Sequence, residues 1–129
     1  MIKQVIVIRK DLKMRRGKEI AQGSHASMMF IVNRIKQNGR LNAGTTWDSF
    51  SGNERIWMEG KFTKICLAVD SESQLDELYD RAKSLNIIAH MCVDSGVTEF
   101  DGVPTKTCIA IGQDDSEKID AITGELKLY

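Results

Sequence analysis

The hydrophobic residues of this 129-residue chain fall alternately into short continuous runs and into stripes at helical spacing. A continuous apolar run of roughly four to eight residues is typical of a strand covered on both faces. Such runs predict four strands, at residues 3–8, 63–69, 87–93 and 105–111. Helical stripes separate most of them and the last two resemble a hairpin. We therefore expect a single three-layer α/β/α domain over residues 1–129, with a four-stranded mixed sheet.

The first helical stripe is the longest, at residues 17–37. It is apolar almost all round over residues 26–32, which predicts a largely buried helix. Asn38-Gly39 is predicted to end this helix, and residues 39–53 are predicted to form a loop.

Start and stop residues bound the later helices. A short helix carrying Ile56 and Trp57 is expected to stop near Gly60. Ser71 and Gln74 are spaced as a capping box before the next helix. A final short helix is capped by Asp114 or Asp115 and closed by Gly124. The stripes that these last two helices bury are Leu75, Leu78, Tyr79, Ala82 and Leu85 in one, and Ile119 and Ile122 in the other.

Charge is divided unevenly along the chain, although the net charge is zero. Residues 1–40 carry ten Lys or Arg against two Asp or Glu, a net of +8, and residues 41–129 carry eight against sixteen, a net of −8. A basic half of this kind indicates a polyanionic partner. The alternative is that these cations are solvated or face acidic residues of the other half.

The cysteines Cys66, Cys92 and Cys108 all fall in strand-like segments and form no Cys-x-x-Cys pair. This pattern predicts buried, reduced thiols rather than disulfides. The two histidines, His25 and His90, have no close grouping with cysteines or carboxylates, so no zinc or other metal site is expected.

The chain shows no segment that would direct it to a membrane or out of the cell. No apolar run approaches the roughly 20 residues that span a bilayer. The N-terminal apolar stretch is followed at once by Arg9 and Lys10, unlike a signal peptide. We therefore expect a cytoplasmic protein with no membrane partner.

The most informative segment is the cationic loop that opens the long helix. The unpaired N–H groups and partial positive charge of a helix start attract anions. The first turns of this helix place Lys18, Gln22 and His25 on one face, for which an ordinary solvated face is the alternative. Arg16-Gly17-Lys18 is similar to the end of a Walker loop, but Leu12 stands at its first glycine, which excludes that motif. The candidate anion-binding cations are Arg9, Lys10, Lys13, Arg15 and Arg16.

A second polar group, Asp94-Ser95-Gly96-Val97-Thr98, follows the third predicted strand. In open α/β sheets, ligands bind beyond the carboxyl ends of the strands. Thr98 and Thr107 offer hydroxyls at the edge of the same region, although Asp-Ser-Gly is also a common turn. If the first and third strands run parallel, this group and Lys18 meet at one end of the sheet.

Five separated motifs share a pattern that is specific because of its order along the chain. They are Gln4-Val-Ile-Val-Ile-Arg-Lys-Asp-Leu-Lys-Met with Gly17-Lys-x-x-Ala-Gln-x-x-His-Ala, Trp57-Met-Glu-Gly-Lys-Phe-Thr-Lys-Ile, Asp94-x-Gly-x-Thr98, Thr105-x-Thr107-Cys-x-Ala-Ile-Gly112, and Ile119-Asp-x-Ile-Thr-Gly. Together they resemble the type 2 peptidyl-tRNA hydrolases, and only residues 37–53 lie outside the resemblance. That family cleaves the ester joining a peptide to the 3′ end of tRNA without metal or organic cofactor, and its members commonly form homodimers.

The resemblance also implies a site. Its members are Lys18, Asp94, Thr98 and Thr107, which match functional residues of the family, and Gln22 and His25, which match positions lining the same cleft. Ester hydrolysis needs a positioned water and a stabilised oxyanion. Our hypothesis is that Asp94, with Thr98, orients the water and that Lys18 stabilises the developing charge, with His25 as an alternative proton shuttle. The five candidate cations would then hold phosphates of the tRNA acceptor stem.

Two departures from the family pattern concern substrate contacts. Val97 stands where the family usually has a basic residue, and the loop at residues 99–106 is one residue longer and carries two acids. A non-catalytic module that binds the tRNA acceptor end or a protein is the alternative function. This alternative is disfavoured because a module that only binds tRNA needs the cations but does not need Lys18, Asp94 and Thr98 together. Residues 28–30 are expected in the core, with a subunit interface as the alternative.

Overall fold

The computed structural model describes residues 1–37 and 40–129 of the chain. Its strands are β1 (Ile2–Arg9), β2 (Lys36–Gln37), β3 (Arg40–Leu41), β4 (Lys64–Val69), β5 (Ala89–Asp94) and β6 (Thr105–Asp115). Its helices are α1 (Arg16–Ile35), α2 (Gly52–Glu59), α3 (Glu72–Ser84) and α4 (Ser116–Thr123). Single turns of 3-10 helix cover Lys10–Leu12, Trp47–Ser49 and Phe100–Gly102. No helix in these described ranges combines the length and apolar character needed to cross a membrane.

Four strands form one mixed sheet in the order β4-β1-β6-β5. β4 runs parallel to β1, and β6 runs antiparallel to both of its neighbours, β1 and β5. β1, β4 and β5 therefore point the same way, and their carboxyl ends meet at one edge of the sheet, which we call the carboxyl edge. The predicted four-stranded mixed sheet with a hairpin-like last pair is confirmed.

Helices cover both faces of this sheet because successive strand residues point to opposite sides. On one face, Val5 of β1 packs in a core with Leu75 of α3, and α4 contributes to the same core. On the other face, Ile6 packs with Ala26 of α1. α2 lies beside α1, to which an edge-to-face pair of aromatic rings joins it. The predicted three-layer α/β/α arrangement is therefore confirmed.

α1 is shorter than the stripe at residues 17–37 predicts. It ends at Ile35, and Lys36–Gln37 pairs instead with Arg40–Leu41 in a two-stranded antiparallel sheet. This cross-strand pairing supplies the backbone hydrogen bonds that a further helical turn would have given. The predicted stop at Asn38-Gly39 lies outside the described residues.

The expectation that α1 is largely buried is wrong. Its buried residues form one stripe, namely Gln22, Gly23, Ala26 and Phe30. Ile20 and Met28 are 64% and 54% exposed, and Met29 is half-buried. The reason is that α1 forms the outermost layer on its side of the sheet, so no other described element covers its outer face. Of residues 28–30, Phe30 is buried in the core as expected and Met29 packs against the core, whereas Met28 is exposed.

β6 extends beyond its predicted end at residue 111, through Asp115. The extension is possible because Gly112, with a φ of +100°, absorbs a bulge opposite β1. Asp115 then caps α4 by accepting the Glu117 N–H at 3.1 Å, and Gly124 ends that helix. The predicted cap and stop of the last helix are therefore confirmed.

α3 follows its prediction except at its two ends. Ser71 caps it by accepting the Gln74 N–H, but the Gln74 side chain accepts from the backbone of Asp70 and not of Ser71, so the capping box is half formed. Leu85, predicted in the buried stripe, is exposed because the helix ends at Ser84.

Candidate active site

Polar side chains from α1 and from the segment after β5 meet at the carboxyl edge. Lys18 Nζ lies 2.9 Å from Asp94 Oδ1 and 3.2 Å from Thr98 Oγ1. One turn further along α1, Gln22 Nε2 donates to the same Asp94 oxygen at 3.2 Å. The contact follows from topology, because β1 and β5 run parallel and the loop after β1 returns α1 across the carboxyl edge. The structure thus brings together four of the six residues predicted for the cleft.

The loop after β5 holds Asp94 in place through backbone geometry. Gly96 adopts a φ of +82°, and its N–H donates to Asp94 Oδ2 at 3.0 Å. A Cβ at Gly96 would lie 2.3 Å from the carbonyl oxygen of Val103, so only glycine fits this position. Both oxygens of the carboxylate are therefore fixed by donors on opposite sides.

These donors also set the ionisation of Asp94. The Lys18 side chain, which donates to the carboxylate, is the main cause that holds the pKa of Asp94 below its usual range. The Gly96 N–H and the Gln22 amide act in the same direction, while desolvation opposes them. A carboxylate with a lowered pKa stays ionised at neutral pH and is a weak base, so it suits the orientation of a water better than full proton abstraction.

A buried layer beneath this pair fixes the Gln22 amide. Thr107 Oγ1 donates to Gln22 Oε1 at 2.6 Å, and Cys92 Sγ lies 3.2 Å from the same oxygen. With its oxygen held by two donors, the amide must turn its nitrogen toward Asp94. Thr107 is fully buried, so the expectation that its hydroxyl lies at the edge of the cleft is wrong. Sequence reasoning placed Thr107 near the site but missed that its partner is Gln22.

The cysteines are free thiols, as predicted, with Cys92 and Cys108 buried and Cys66 half-buried. Cys92 and Cys108 lie opposite each other in the β5–β6 register. Cys108 Sγ donates to the backbone oxygen of Gln22, and the neighbouring Cys92 and burial raise the pKa of the Cys108 thiol. Sequence reasoning missed that Cys92 contributes to the site. The available signal is its position two residues before Asp94, which places both side chains on the face of the sheet toward α1.

His25 lies further along the same face of α1. It is exposed and lines a groove of about 610 Å³ that also includes Gln22, Cys92 and Asp94. It makes no hydrogen bond to another described residue. The fifth predicted cleft residue therefore lines the same groove as Asp94 without contacting the Lys18–Asp94 pair.

The predicted cations before α1 fall into two groups. Arg9 is largely buried and donates to the Asp11 carboxylate and to the carbonyl oxygen of Lys106, so it joins β1 to β6. Lys10 Nζ lies 3.4 Å from Asp70 Oδ1. Lys13, Arg15 and Arg16 are exposed, and Arg15 remains 83% exposed although it bonds Glu99. We call Lys10, Lys13, Arg15 and Arg16 the cationic surface. Acidic residues of the other half do face some of these cations, as the alternative proposed.

Comparison with known proteins identifies the family. The sequence model of the family described as Peptidyl-tRNA hydrolase PTH2 matches residues 2–129. The chain belongs to this family. The peptidyl-tRNA hydrolase of Haloquadratum walsbyi is 38% identical over 128 residues, which cover 99% of this chain and 100% of that protein. That of Methanocaldococcus jannaschii is 35% identical and covers 98% and 99% of the two chains.

Among solved structures, a protein of unknown function from Agrobacterium tumefaciens str. C58 is similar in fold. The TM-score is 0.61 at 14% sequence identity, and the match covers 98% of this chain and 96% of that chain. At this identity the likeness concerns the fold alone.

The two segments predicted from the sequence to depart from the family pattern lie near the Lys18–Asp94 pair. Val97 is one of the most exposed apolar residues among those the structure describes. The loop at residues 99–106 places Glu99 against Arg15 and the Phe100 ring 6.0 Å from Lys18 Nζ. The contacts of Lys18 with Asp94 and Thr98 form beside both segments. No cluster of His, Cys, Asp and Glu with the geometry of a metal site occurs among residues 1–37 and 40–129.

Proposed function

We propose that this chain hydrolyses the ester bond between the peptide, or N-blocked aminoacyl group, and the 3′-terminal ribose of peptidyl-tRNA, which releases the tRNA for reuse. The observation that carries the proposal is the contact of Lys18 with Asp94 and Thr98 beside the cationic surface. The relatives named peptidyl-tRNA hydrolase support the same activity, since they match nearly the whole chain. The proposed enzyme is a single domain, residues 1–129, that acts in the cytoplasm.

In the proposed mechanism, Asp94 orients the attacking water together with the Thr98 hydroxyl. The Lys18 ammonium has three N–H donors, of which two contact Asp94 and Thr98. The third is available to the oxyanion that forms when water attacks the ester carbonyl. Preorganised donors of this kind stabilise the charge that develops in the transition state. The side-chain exposures of 16% for Lys18 and 12% for Asp94 mean that little solvent competes with the contact between these two side chains.

Two further residues have proposed roles in positioning and proton transfer. Gln22 is a positioning residue, since its amide nitrogen holds Asp94 while Thr107 holds its oxygen. His25 faces the groove beside the pair, where an imidazole can transfer a proton to the leaving ribose oxygen. The proposed chemistry uses only these side chains and water.

The proposed substrate contact outside the ester is electrostatic. The cationic surface lies just before Lys18 along the chain, so phosphates of the acceptor stem bound there would present the 3′ end to the pair. We also propose a homodimer, for which the exposed Ile20 and Met28 on α1 offer an apolar surface next to a groove of about 550 Å³ between α1 and β4.

The alternative, a module that binds tRNA or a protein without turnover, is not favoured. A binding module needs the cationic surface but gains nothing from a carboxylate held by three donors, one of which is the Lys18 ammonium. The relatives named peptidyl-tRNA hydrolase also match this chain over all or nearly all of their own length.

The test measures release of the acyl group from N-acetyl-aminoacyl-tRNA by the purified chain, with tRNA binding followed by gel retardation. We expect turnover by the wild type and a loss of about 10²–10³ in kcat for Lys18→Ala, which removes the proposed oxyanion donor. Retained tRNA binding by this variant would show that the loss is catalytic. Retardation of tRNA without release by any form would establish the binding module instead.

A further inference from the structure

The groove beside the Lys18–Asp94 pair continues away from the cationic surface, along the flank of α1 that faces β5. We propose that this groove binds the peptide portion of the substrate, in an extended conformation along the outer edge of β5. The inference rests on the proposed function, because it assigns the part of the substrate on the far side of the ester from the tRNA.

The dimensions of the groove fit a short peptide. It has a volume of about 610 Å³, and Gln22 and Asp94 line its beginning. Side chains at helical spacing on α1 continue its wall as far as Asn33, and Lys36, the first residue after the helix, lines its far end. Gln22 and Lys36 are about 21 Å apart along the axis at a rise of 1.5 Å per residue. That distance corresponds to about six residues of extended chain.

The outer edge of β5 offers backbone groups to such a peptide. β5 is the last strand of the sheet. The carbonyl oxygen of Ile88 accepts from the Gly112 N–H at 2.7 Å, and the pairs His90–Ala110 and Cys92–Cys108 continue this register, so the even-numbered residues up to Cys92 face β6. Alternation turns the N–H and C=O groups of Ala89 and Met91 outward, where no described strand pairs with them, up to the register shift after Cys92. An unpaired strand edge binds extended peptides through main-chain hydrogen bonds.

The side chains of the groove suit a peptide of variable sequence. Met29 and Val32 on α1 provide apolar contacts, while His25 and Asn33 provide polar ones. Methionine adapts to differently shaped partners. Recognition through main-chain groups does not depend on peptide sequence, which is what an enzyme acting on unfinished peptides of any sequence requires.

The distribution of cations separates this groove from the tRNA. Arg15 and Arg16 lie before Lys18 in α1, whereas the groove lies after it. His25 and Lys36 are the basic side chains that line the groove among the described residues. With the ester held at Lys18 and Asp94, the phosphates extend toward one end of α1 and the peptide toward the other.

The experiment compares substrates that share one tRNA and differ in peptide length. The acyl groups are an N-acetylated single residue, a tripeptide and a hexapeptide. We expect KM of the wild type to fall about tenfold from the shortest to the longest, because added residues gain main-chain contacts with β5. This measurement needs no variant and does not depend on the folding of one.

A substitution then locates the effect. Val32→Asp places a charge in the groove, and we expect it to raise KM for the hexapeptide substrate about tenfold while KM for the single residue changes less than about twofold. The matched control is Ile56→Asp on the exposed face of α2, which should leave KM for both substrates unchanged.

Equal KM for all three substrates in the wild type would overturn the inference. So would an equal increase for all lengths in Val32→Asp, since the groove would then hold the 3′ end of the tRNA. Failure of the wild type to hydrolyse any substrate is a different outcome, because it contradicts the proposed function. In that case, the length test uses amide-linked, non-hydrolysable analogues of the three substrates. Dissociation constants that do not change with peptide length would overturn the proposed peptide groove.

Discussion

Two lysine–aspartate pairs lie at opposite edges of the same sheet. Lys3 Nζ is 2.6 Å from Asp120 Oδ1 at the amino end of β1, and Lys18 Nζ is 2.9 Å from Asp94 Oδ1 at the carboxyl edge. The first pair joins β1 to α4, with more than half of the Asp120 side chain open to water. Both pairs are in direct contact at similar distances, so close pairing by itself does not distinguish a site from a structural contact.

The surroundings of the second pair make the difference. Asp94 also accepts from Gln22 and from the Gly96 N–H, and Lys18 also donates to Thr98. These groups come from α1 and from the loop after β5, and they converge on the same carboxylate and ammonium. The comparison teaches that convergent donors around an ion pair, rather than the pair itself, distinguish the candidate site.

Two glycines with positive φ, one at each edge, give the largest expected contrast. Gly96→Ala forces a Cβ against the carbonyl oxygen of Val103 and displaces Asp94, so we expect kcat to fall about a hundredfold. Gly112→Ala places a Cβ 2.6 Å from the carbonyl oxygen of Lys3, so we expect a loss of about 1–3 kcal/mol in the free energy of unfolding with kcat unchanged. Denaturant titration and acyl release measure the two effects. Equal kcat values for the two variants would show that the backbone at Gly96 matters no more for catalysis than the backbone at Gly112.

Two buried threonines provide a finer contrast. Thr107 donates to Gln22 Oε1, and Thr123 donates to the carbonyl oxygen of Ile119 in α4. Replacing either by Val should lower the free energy of unfolding by about 0.5–1.5 kcal/mol, since each removes one of the hydrogen bonds to a buried acceptor. We expect kcat to fall about tenfold only for Thr107→Val, because only that change frees the amide that positions Asp94. Thr107→Ser should restore kcat, and failure of that rescue would count against hydroxyl-mediated positioning.

The cationic surface should affect binding rather than turnover. Arg15→Glu and Arg16→Glu should each reduce the slope of log affinity for tRNA against log salt concentration by about one. Lys118→Glu, an exposed cation on α4, is the matched control and should leave the slope unchanged. The measurement is a salt titration of tRNA binding. A slope that changes as much in the control as in the α1 variants would mean that net charge, and not this surface, attracts the tRNA.

The smallest effect concerns pH. Because the pKa of Asp94 in the folded chain is lowered, mainly by Lys18, its ionised form stabilises the fold fully above the ordinary aspartate pKa of about 3.9. That stabilisation is lost only as the pH falls through the lower folded value. We expect the difference in unfolding free energy between wild type and Asp94→Asn to stay constant from about pH 8 to about pH 5 and to narrow below about pH 4. If denaturant titrations showed this difference in unfolding free energy narrowing already above about pH 5, they would contradict the assigned direction of the Asp94 pKa shift.

Much of the fold could be predicted from the chain because its elements are set by local pattern. Continuous apolar runs gave the four main strands, and residues such as Asp115 and Gly124 bounded the last helix. Burial was harder to predict. The apolar stretch of α1 is consistent with a helix covered on all sides, and only the layer order shows that the face of Met28 lies outermost.

The site divides in the same way. That Lys18 and Asp94 would meet could be predicted once β1 and β5 were taken as parallel, because topology alone brings their loops together. The burial of Thr107 could not be predicted, since it depends on the register of β6 against β5 and on the path of the Gln22 side chain. Contacts that follow from strand direction can thus be predicted from the sequence, whereas contacts that follow from side-chain packing cannot.

The most direct test of the central claim is a single-turnover measurement of acyl release by two matched variants, Asp94→Asn and Asp120→Asn. Each variant removes the charge of one aspartate that pairs with a lysine, at opposite edges of the sheet. The account predicts that Asp94→Asn slows release by about a hundredfold or more and that Asp120→Asn releases at the wild-type rate. Equal rates for the two variants would show that the carboxyl-edge pair, like the one at the amino end of β1, only holds the structure together.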